Sequence, residues 1–260
     1  MEFGMPTLIE QETLEETVKL CKDLGLDFVE LNMNLPQYQV EILENTSCLK
    51  ELKEKYQVYF TIHLDENLNV ADFNNIVSEA YIQTVKRAIR VAKIIDAPIL
   101  NMHMNHGVHF TLPNKKVKLF EKYSDFYMES IKRFREICEE EIGNDNIRIC
   151  IENTDGYKEY EKNAINYLLD SSVFGLTFDI GHSNGVNNID EEFIMKNKNK
   201  LIHFHIHDGQ GKKNHLELGV GEIDLYQRLN LAKECKSRCV VETKTIESLI
   251  NSVKWLKSNI

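Results

Sequence analysis

Residues 201–209 read LIHFHIHDG, and their period is two: apolar side chains alternate with His203, His205 and His207. Alternation of this kind marks a β-strand, whose successive side chains point to opposite faces, so the three histidines share one face. Five other short apolar runs end the same way. TIHLDEN carries His63, LNMHMNHG carries His103, ICIENTDG carries Glu152, LTFDIGH carries Asp179 and His182, and VVETK carries Glu242. Six consecutive strands thus place His, His, Glu, Asp, His and Glu at or near their C-terminal ends. Charged groups at the ends of apolar strands are costly unless they are paired or bind a metal. In a βα barrel those ends meet on one face, where the loops build the active site.

Working outward, the strand runs are Glu2–Met5, Phe28–Met33, Val58–His63, Pro98–His103, Ile147–Glu152, Gly175–Asp179, Leu201–His207 and Arg238–Glu242. Amphipathic stretches lie between them. Leu14, Val18 and Cys21 recur at helical spacing, as do Ile82, Val85, Ile89 and Ala92. Thr13 and Glu16 fit a capping box. Lys115–Glu141, with Phe120, Tyr127, Ile131, Phe134 and Cys138, reads as one long core-facing helix. Eight strand–helix units in 260 residues average about 32 residues each, the size of a βα repeat. The fold expected is α/β, a (β/α)8 TIM barrel, in a single domain over residues 1–260. A doubly wound open sheet is the competitor, because alternation alone does not show closure.

Composition narrows the function. The formal charge of −10 argues against a general nucleic-acid binder, which needs a concentrated positive field. No apolar run reaches the roughly 18 residues of a membrane span. MEFGMPTLIEQETLEE has neither the basic nor the apolar region of a signal peptide, so a cytoplasmic location is expected. The six cysteines form no C-x-x-C pair and read as reduced thiols, with Cys235 and Cys239 spaced for one helical face.

The mixture of His, Asp and Glu suits Zn²⁺ or Mn²⁺ better than Mg²⁺ or Ca²⁺. On the histidine strand, His205 is the expected ligand. His203 lies one layer deeper as a hydrogen-bonded core group, and His207 reaches the lip to touch substrate. Glu30, near the end of the second strand, is a candidate substrate contact or partner of a cation. His106 and His109 fall in the loop after the fourth strand, where exposure is expected. Asp208 either orients a neighbour or ends its strand, Glu139–Glu141 form a solvated helix end, and Trp255 packs on the outer wall.

The words IENTDG, TFDIGHSNG, HFHIHDG, HLELGVGEID and VVET resemble those of the xylose-isomerase-like barrel superfamily. That group joins sugar and sugar-phosphate isomerases and epimerases with zinc-dependent apurinic-site endonucleases. The resemblance runs along essentially the whole chain. It implies a (β/α)8 barrel and a divalent metal held by Glu152, Asp179, His205 and Glu242. It further implies Glu152 and Glu242 as the acid/base pair that removes and returns a proton beside a sugar carbonyl, through an enediolate. His182 would hydrogen-bond a substrate oxygen. The endonuclease branch adds His63 and His103 for a second zinc, bridged through Glu152. For a third it uses His182 and a D-x-H pair, which falls on Lys213 and His215. A lysine at the aspartate position replaces an anionic ligand with a cation. His63, His103 and His215 are therefore candidates for a second metal or for substrate.

Several ketose epimerases place an arginine where DGQGKKN offers Lys212 and Lys213. Lysine is a point charge rather than a bidentate fork. Lys212 and Lys244 are candidate contacts for a phosphate or carboxylate. The leading expectation is a metal-dependent isomerase or epimerase acting on a small sugar or sugar phosphate. The alternatives are a hydrolase or lyase on the same barrel, such as an apurinic-site endonuclease-like phosphoesterase, or a metal- and sugar-binding protein without turnover. Barrels of this size occur as monomers and as homo-oligomers.

Overall fold

The computed structural model describes residues 1–260 and places eight parallel strands in a closed barrel. They are β1 (Phe3–Pro6), β2 (Phe28–Asn32), β3 (Tyr59–His63), β4 (Ile99–His103), β5 (Arg148–Glu152), β6 (Phe174–Asp179), β7 (Leu201–Ile206) and β8 (Arg238–Val241). Each pairs with its neighbours in chain order, and β8 pairs with β1 to close the ring. The open-sheet competitor is thereby excluded. Helices follow the strands on the outside. The long ones are Asn75–Ile95, Ser124–Ile142 and Ile246–Asn259, whereas β6 is followed only by the short Ile180–Gly185 and Glu191–Lys196. None is long and apolar enough to cross a membrane.

The core lies between strands and helices. Val29, Leu31, Phe60, Ile62, Leu100, Met102, Phe178 and Phe204 are buried on the outward faces of their strands. The helical stripes meet them: Val18 and Cys21 on the first helix, and Ile82, Val85, Ile89 and Ala92 on the helix after β3. The capping box is present, with Thr13 Oγ1 accepting from Glu16 N at 3.2 Å and Glu16 accepting from Thr13 N. Inside the barrel, the N-terminal end is plugged by Phe28, stacked on Tyr59 at 5.1 Å between centroids. Gly4 makes room for it, since a Cβ there would stand 2.4 Å from the Phe28 ring.

Two expectations change. Residues 115–118 are not helical. They pair antiparallel with 109–112, Phe110 opposite Val117 and Leu112 opposite Lys115, across a Pro113-Asn114 turn. Pro113 lacks the N–H a helix needs, and the flanking segments alternate as strands do. A short helical turn, Leu119–Lys122, buries Phe120, and the long core-facing helix begins at Ser124 with the stripe Tyr127, Ile131, Phe134 and Cys138. Cys235 and Cys239 do not share a helix: Cys235 caps the helix Leu225–Glu234 and Cys239 lies in β8. All six cysteines are free thiols. The acids at the helix end are paired rather than merely solvated, Glu141 with Arg90 and Lys86, and Glu139 with Arg135. Trp255 covers Gly219 and leans on Tyr226.

Gly4→Ala forces the buried Phe28 ring to move. Overpacking of this kind typically costs about 1–3 kcal/mol. A lower midpoint in chemical denaturation is the expected result, and an unchanged midpoint would show that the plug is not tightly packed.

Candidate metal and proton-transfer site

Strand register builds the site. His103 on β4 lies opposite Glu152 on β5, and Asp179 on β6 lies opposite His205 on β7. Glu242 follows β8 directly, its N–H bonded to Ile206 O at 3.0 Å. The ligand-capable atoms of Glu152, Asp179, His205 and Glu242 all fall within 4.8 Å of one another. His205 Nδ1 is their centre, 3.3 Å from Glu152 Oε1, 3.1 Å from Glu242 Oε2 and 3.9 Å from Asp179 Oδ2.

Three carboxylates and one imidazole suit a divalent cation of the Zn²⁺ or Mn²⁺ class. A second observation agrees with that donor set. His205 Nδ1 and Glu242 Oε2 are buried and make no hydrogen bond of acceptable geometry, a condition folded proteins rarely tolerate. The residues therefore fit the group.

Beneath this cluster the barrel interior is polar. Glu30 is 2% exposed, and its carboxylate accepts from His205 Nε2 at 2.7 Å, His203 Nε2 at 3.0 Å and Thr61 Oγ1 at 2.9 Å. Asn101 donates from its amide to Glu152 Oε2 and accepts from Thr177 Oγ1. Asn153 pins Asp179 by bonds to its backbone N and O, both 2.9 Å. None of Asn101, Asn153, Thr61 or Thr177 stood out in the sequence. Their signal was only their inward parity on strands that also carry ligands, or adjacency to one.

Two expected substrate contacts are placed elsewhere. Glu30 is not at the mouth but under His205, with its oxygens occupied. His207 is fully buried rather than at the lip. Its Nδ1 accepts from the His215 N–H at 2.8 Å, so its proton sits on Nε2, which donates to Asp179 at 3.0 Å. Both ring nitrogens are spent. Gly181 permits this, because a Cβ there would stand 1.9 Å from the His207 ring.

The remaining candidates surround the cluster. His63 Nε2 and His103 Nε2 approach the same Glu152 oxygen, at 3.4 and 3.1 Å. His63 Nδ1 is turned toward Leu64 O at 2.8 Å, which leaves Nε2 facing the site. His182 takes Asp179 Oδ1 on its backbone N–H at 2.6 Å, and its Nδ1 lies 3.5 Å from both Glu152 and Asp179. The ring is one-fifth exposed. His215, at a positive φ of 53°, stacks on His207 at 4.2 Å and points Nδ1 at Glu242 O. Lys244 Nζ lies 3.2 Å from Glu242 Oε1 on a side chain 60% exposed. Lys212 and Lys213 are exposed on the hairpin 208–216. Asp208 anchors that hairpin and the following loop, accepting from the N–H groups of Gly209, Gly219, Gly221 and Ile223. His106 bridges buried Glu161 and Asp155, while His109 is exposed.

Burial and charge oppose each other throughout. Burial alone would raise Glu152 and Glu242, yet His205 beside them holds both well below the usual carboxylate range. Burial would lower His63 and His182, but Glu152 holds His63 up at about 9, and Asp179 with Glu152 holds His182 up at about 10. His205 is likewise raised, against burial, by Glu152, Glu30 and Glu242. His215 goes the other way, to about 4, because burial outweighs Glu242. In the absence of a cation, protons on the histidines balance the carboxylates.

Over 99% of its length the chain is 28% identical to an uncharacterized protein, MJ1311, of Methanocaldococcus jannaschii, covering 88% of that protein. The crystal structure of a D-tagatose 3-epimerase-like protein superposes with a TM-score of 0.78 at 25% identity, covering 99% of this chain and 96% of the other. The IOLI protein with a binding zinc atom superposes with a TM-score of 0.73 at 16% identity, again over 99% and 96% of the two chains. The model of the family described as xylose isomerase-like TIM barrel matches residues 18–259, and the chain belongs to that family.

Proposed function

We propose that the protein is an isomerase or epimerase that moves a proton at the carbon beside the carbonyl of a small sugar or sugar phosphate. A divalent cation, Zn²⁺ or Mn²⁺, would be held by Glu152, Asp179, His205 and Glu242. The observation that carries the reading is the placement of Glu152 and Glu242, which approach one nitrogen of His205 from strands on either side of it. Likeness to a D-tagatose 3-epimerase-like protein supports the substrate class.

The cation, when bound, supplies Lewis-acid polarisation of the carbonyl, which acidifies the neighbouring C–H. The two carboxylates do the proton work. The histidines around them favour the ionised form, in which one carboxylate takes the proton as general base; the other, protonated from solvent before it acts, returns one from the opposite side. Return to the same carbon inverts it, and return to the adjacent carbon exchanges aldose for ketose. His182 donates to a substrate oxygen in this reading, which its partly exposed ring supports. Lys244 at the exposed edge offers a positive charge to a substrate phosphate or carboxylate.

A second reading, metal-dependent hydrolysis, is favoured by one observation: His63 and His103 both stand at Oε2 of Glu152. Lys213 opposes its trinuclear form, since it is exposed on the hairpin where that chemistry needs an aspartate.

Glu152→Gln and Glu242→Gln are each expected to slow solvent-deuterium incorporation beside the carbonyl by about 100-fold or more. The measurement is NMR on a panel of ketoses and their phosphates. Wild-type exchange in either variant removes that residue from the acid/base pair. Cleavage of an abasic-site duplex that depends on Glu152, with no exchange into any sugar, would favour hydrolysis.

Cation binding must expel protons. His63, His182 and His205 are raised above the ordinary histidine value, so at pH 7 the metal-free site holds protons that a cation at His205 Nδ1 displaces. Zinc titrations at pH 7 in buffers of different ionisation enthalpy are expected to show net proton release. Because these pKa values are raised, their stabilisation of the metal-free fold is complete below about pH 6.5. It is lost as the pH rises through about 9 to 10. The metal-free protein is therefore expected to lose thermal stability across that window. An alkaline stability independent of pH would show that the histidines are not protonated at neutrality.

A further inference from the structure

We propose that Glu30 is a positioning residue for the cation site, setting which nitrogen of His205 faces Glu152, Asp179 and Glu242. The inference rests on the reading that those four residues hold a divalent cation, and it assigns a role to a residue outside the set.

An ionised Glu30 accepts hydrogen bonds and donates none. Its Oε1 lies 2.7 Å from His205 Nε2 and its Oε2 lies 3.0 Å from His203 Nε2. Each ring must therefore bring an N–H at the ε position. With that proton fixed, Nδ1 is the nitrogen whose lone pair His205 can give to a cation, and it is the one the three carboxylates surround. A histidine ligand is commonly held in this way by a carboxylate behind it, which fixes the tautomer and the ring orientation.

Glu30 is itself held from several sides. Thr61, its neighbour across the β2–β3 ladder, donates to Oε2 at 2.9 Å. His203 occupies the same oxygen and has no partner at Nδ1, so its only side-chain anchor is Glu30. All of Glu30, Thr61, His203 and His205 are buried. Glu30 cannot turn away toward water without abandoning two histidines. The contact also spans the barrel: β2 and β7 are separated in the ring by β1 and β8.

Glu30→Gln tests the assignment with nearly unchanged shape. The glutamine amide presents N–H groups to one of the two rings, which must then accept at Nε2 and carry its proton on Nδ1. It also removes a negative charge beneath the cation. Zinc affinity, measured in competition with a chelating indicator and without any sugar, is expected to fall roughly 10- to 100-fold. His203→Asn leaves the Glu30–His205 bond in place and removes only one of the groups that hold Glu30, so it is expected to lower affinity by clearly less than Glu30→Gln does. Imidazole ¹⁵N spectra of the zinc-loaded wild type are expected to show His205 protonated at Nε2 and metal-bound at Nδ1, a readout that needs no variant to fold. The proposal is overturned if Glu30→Gln binds zinc like the wild type, if His203→Asn loses as much affinity as Glu30→Gln, or if His205 in the loaded protein has no proton at Nε2. A wild type that binds neither zinc nor manganese would overturn the parent reading as well, whereas normal wild-type binding with an unaffected Glu30→Gln variant would overturn this inference alone.

Discussion

His205 meets opposite demands on one ring. Below it, Glu30 takes its Nε2 proton; above it, three carboxylates crowd its Nδ1. Neither set of charges is stable alone in a barrel interior, where an unpaired carboxylate costs several kcal/mol. Protonated histidines offset them in the metal-free chain, and a divalent cation would offset them better. Much of the surrounding structure serves that balance. Asn153 fixes the backbone of Asp179, His207 fixes its side chain, and Asn101 with Thr177 fixes Glu152.

The same balance explains why the upper barrel is not filled with branched aliphatic residues, the usual packing of this architecture. Phe28 and Tyr59 close the N-terminal end. Above them a layer of Glu30, Thr61, Asn101, Thr177 and His203 carries hydrogen bonds between neighbouring strands, as at Thr61–Glu30, and between strands that are not neighbours, as at Asn101–Thr177 and Glu30–His203. A buried polar network rigidifies what rests on it when its groups are satisfied. Among its unpaired buried atoms, His205 Nδ1 and Glu242 Oε2 face the candidate cation, while His203 Nδ1 lies in the layer below.

Legibility in the sequence followed the range of the interactions. The eight strands were readable because alternation is local; most observed bounds differ from those expected by a residue. The clustering of Glu152, Asp179, His205 and Glu242 was readable because each lies at or near the end of a strand, and resemblance to a family singled out the four as candidate ligands. The hairpin at 109–118 was missed because Lys115–Lys118 has too few residues for its period of two to stand out beside a long helical stripe. His207 was expected at the lip, and Glu30 was left between substrate contact and pairing with a cation, because parity alone says inward, not how deep. Depth depends on strand stagger and on which partners arrive from across the barrel.

Residue order alone thus determined the alternation of strands and helices, the face on which polar residues converge, and the kind of donor available there. Those are properties of periods of two and 3.6 and of side-chain chemistry, both carried by neighbours in the chain. Tertiary structure alone decided that the sheet closes, that Glu30 on β2 holds His205 on β7, and that His207 serves Asp179 instead of a substrate. The reason is distance along the chain: 175 residues separate Glu30 from His205. No local pattern encodes a hydrogen bond that exists only once the ring of strands has closed.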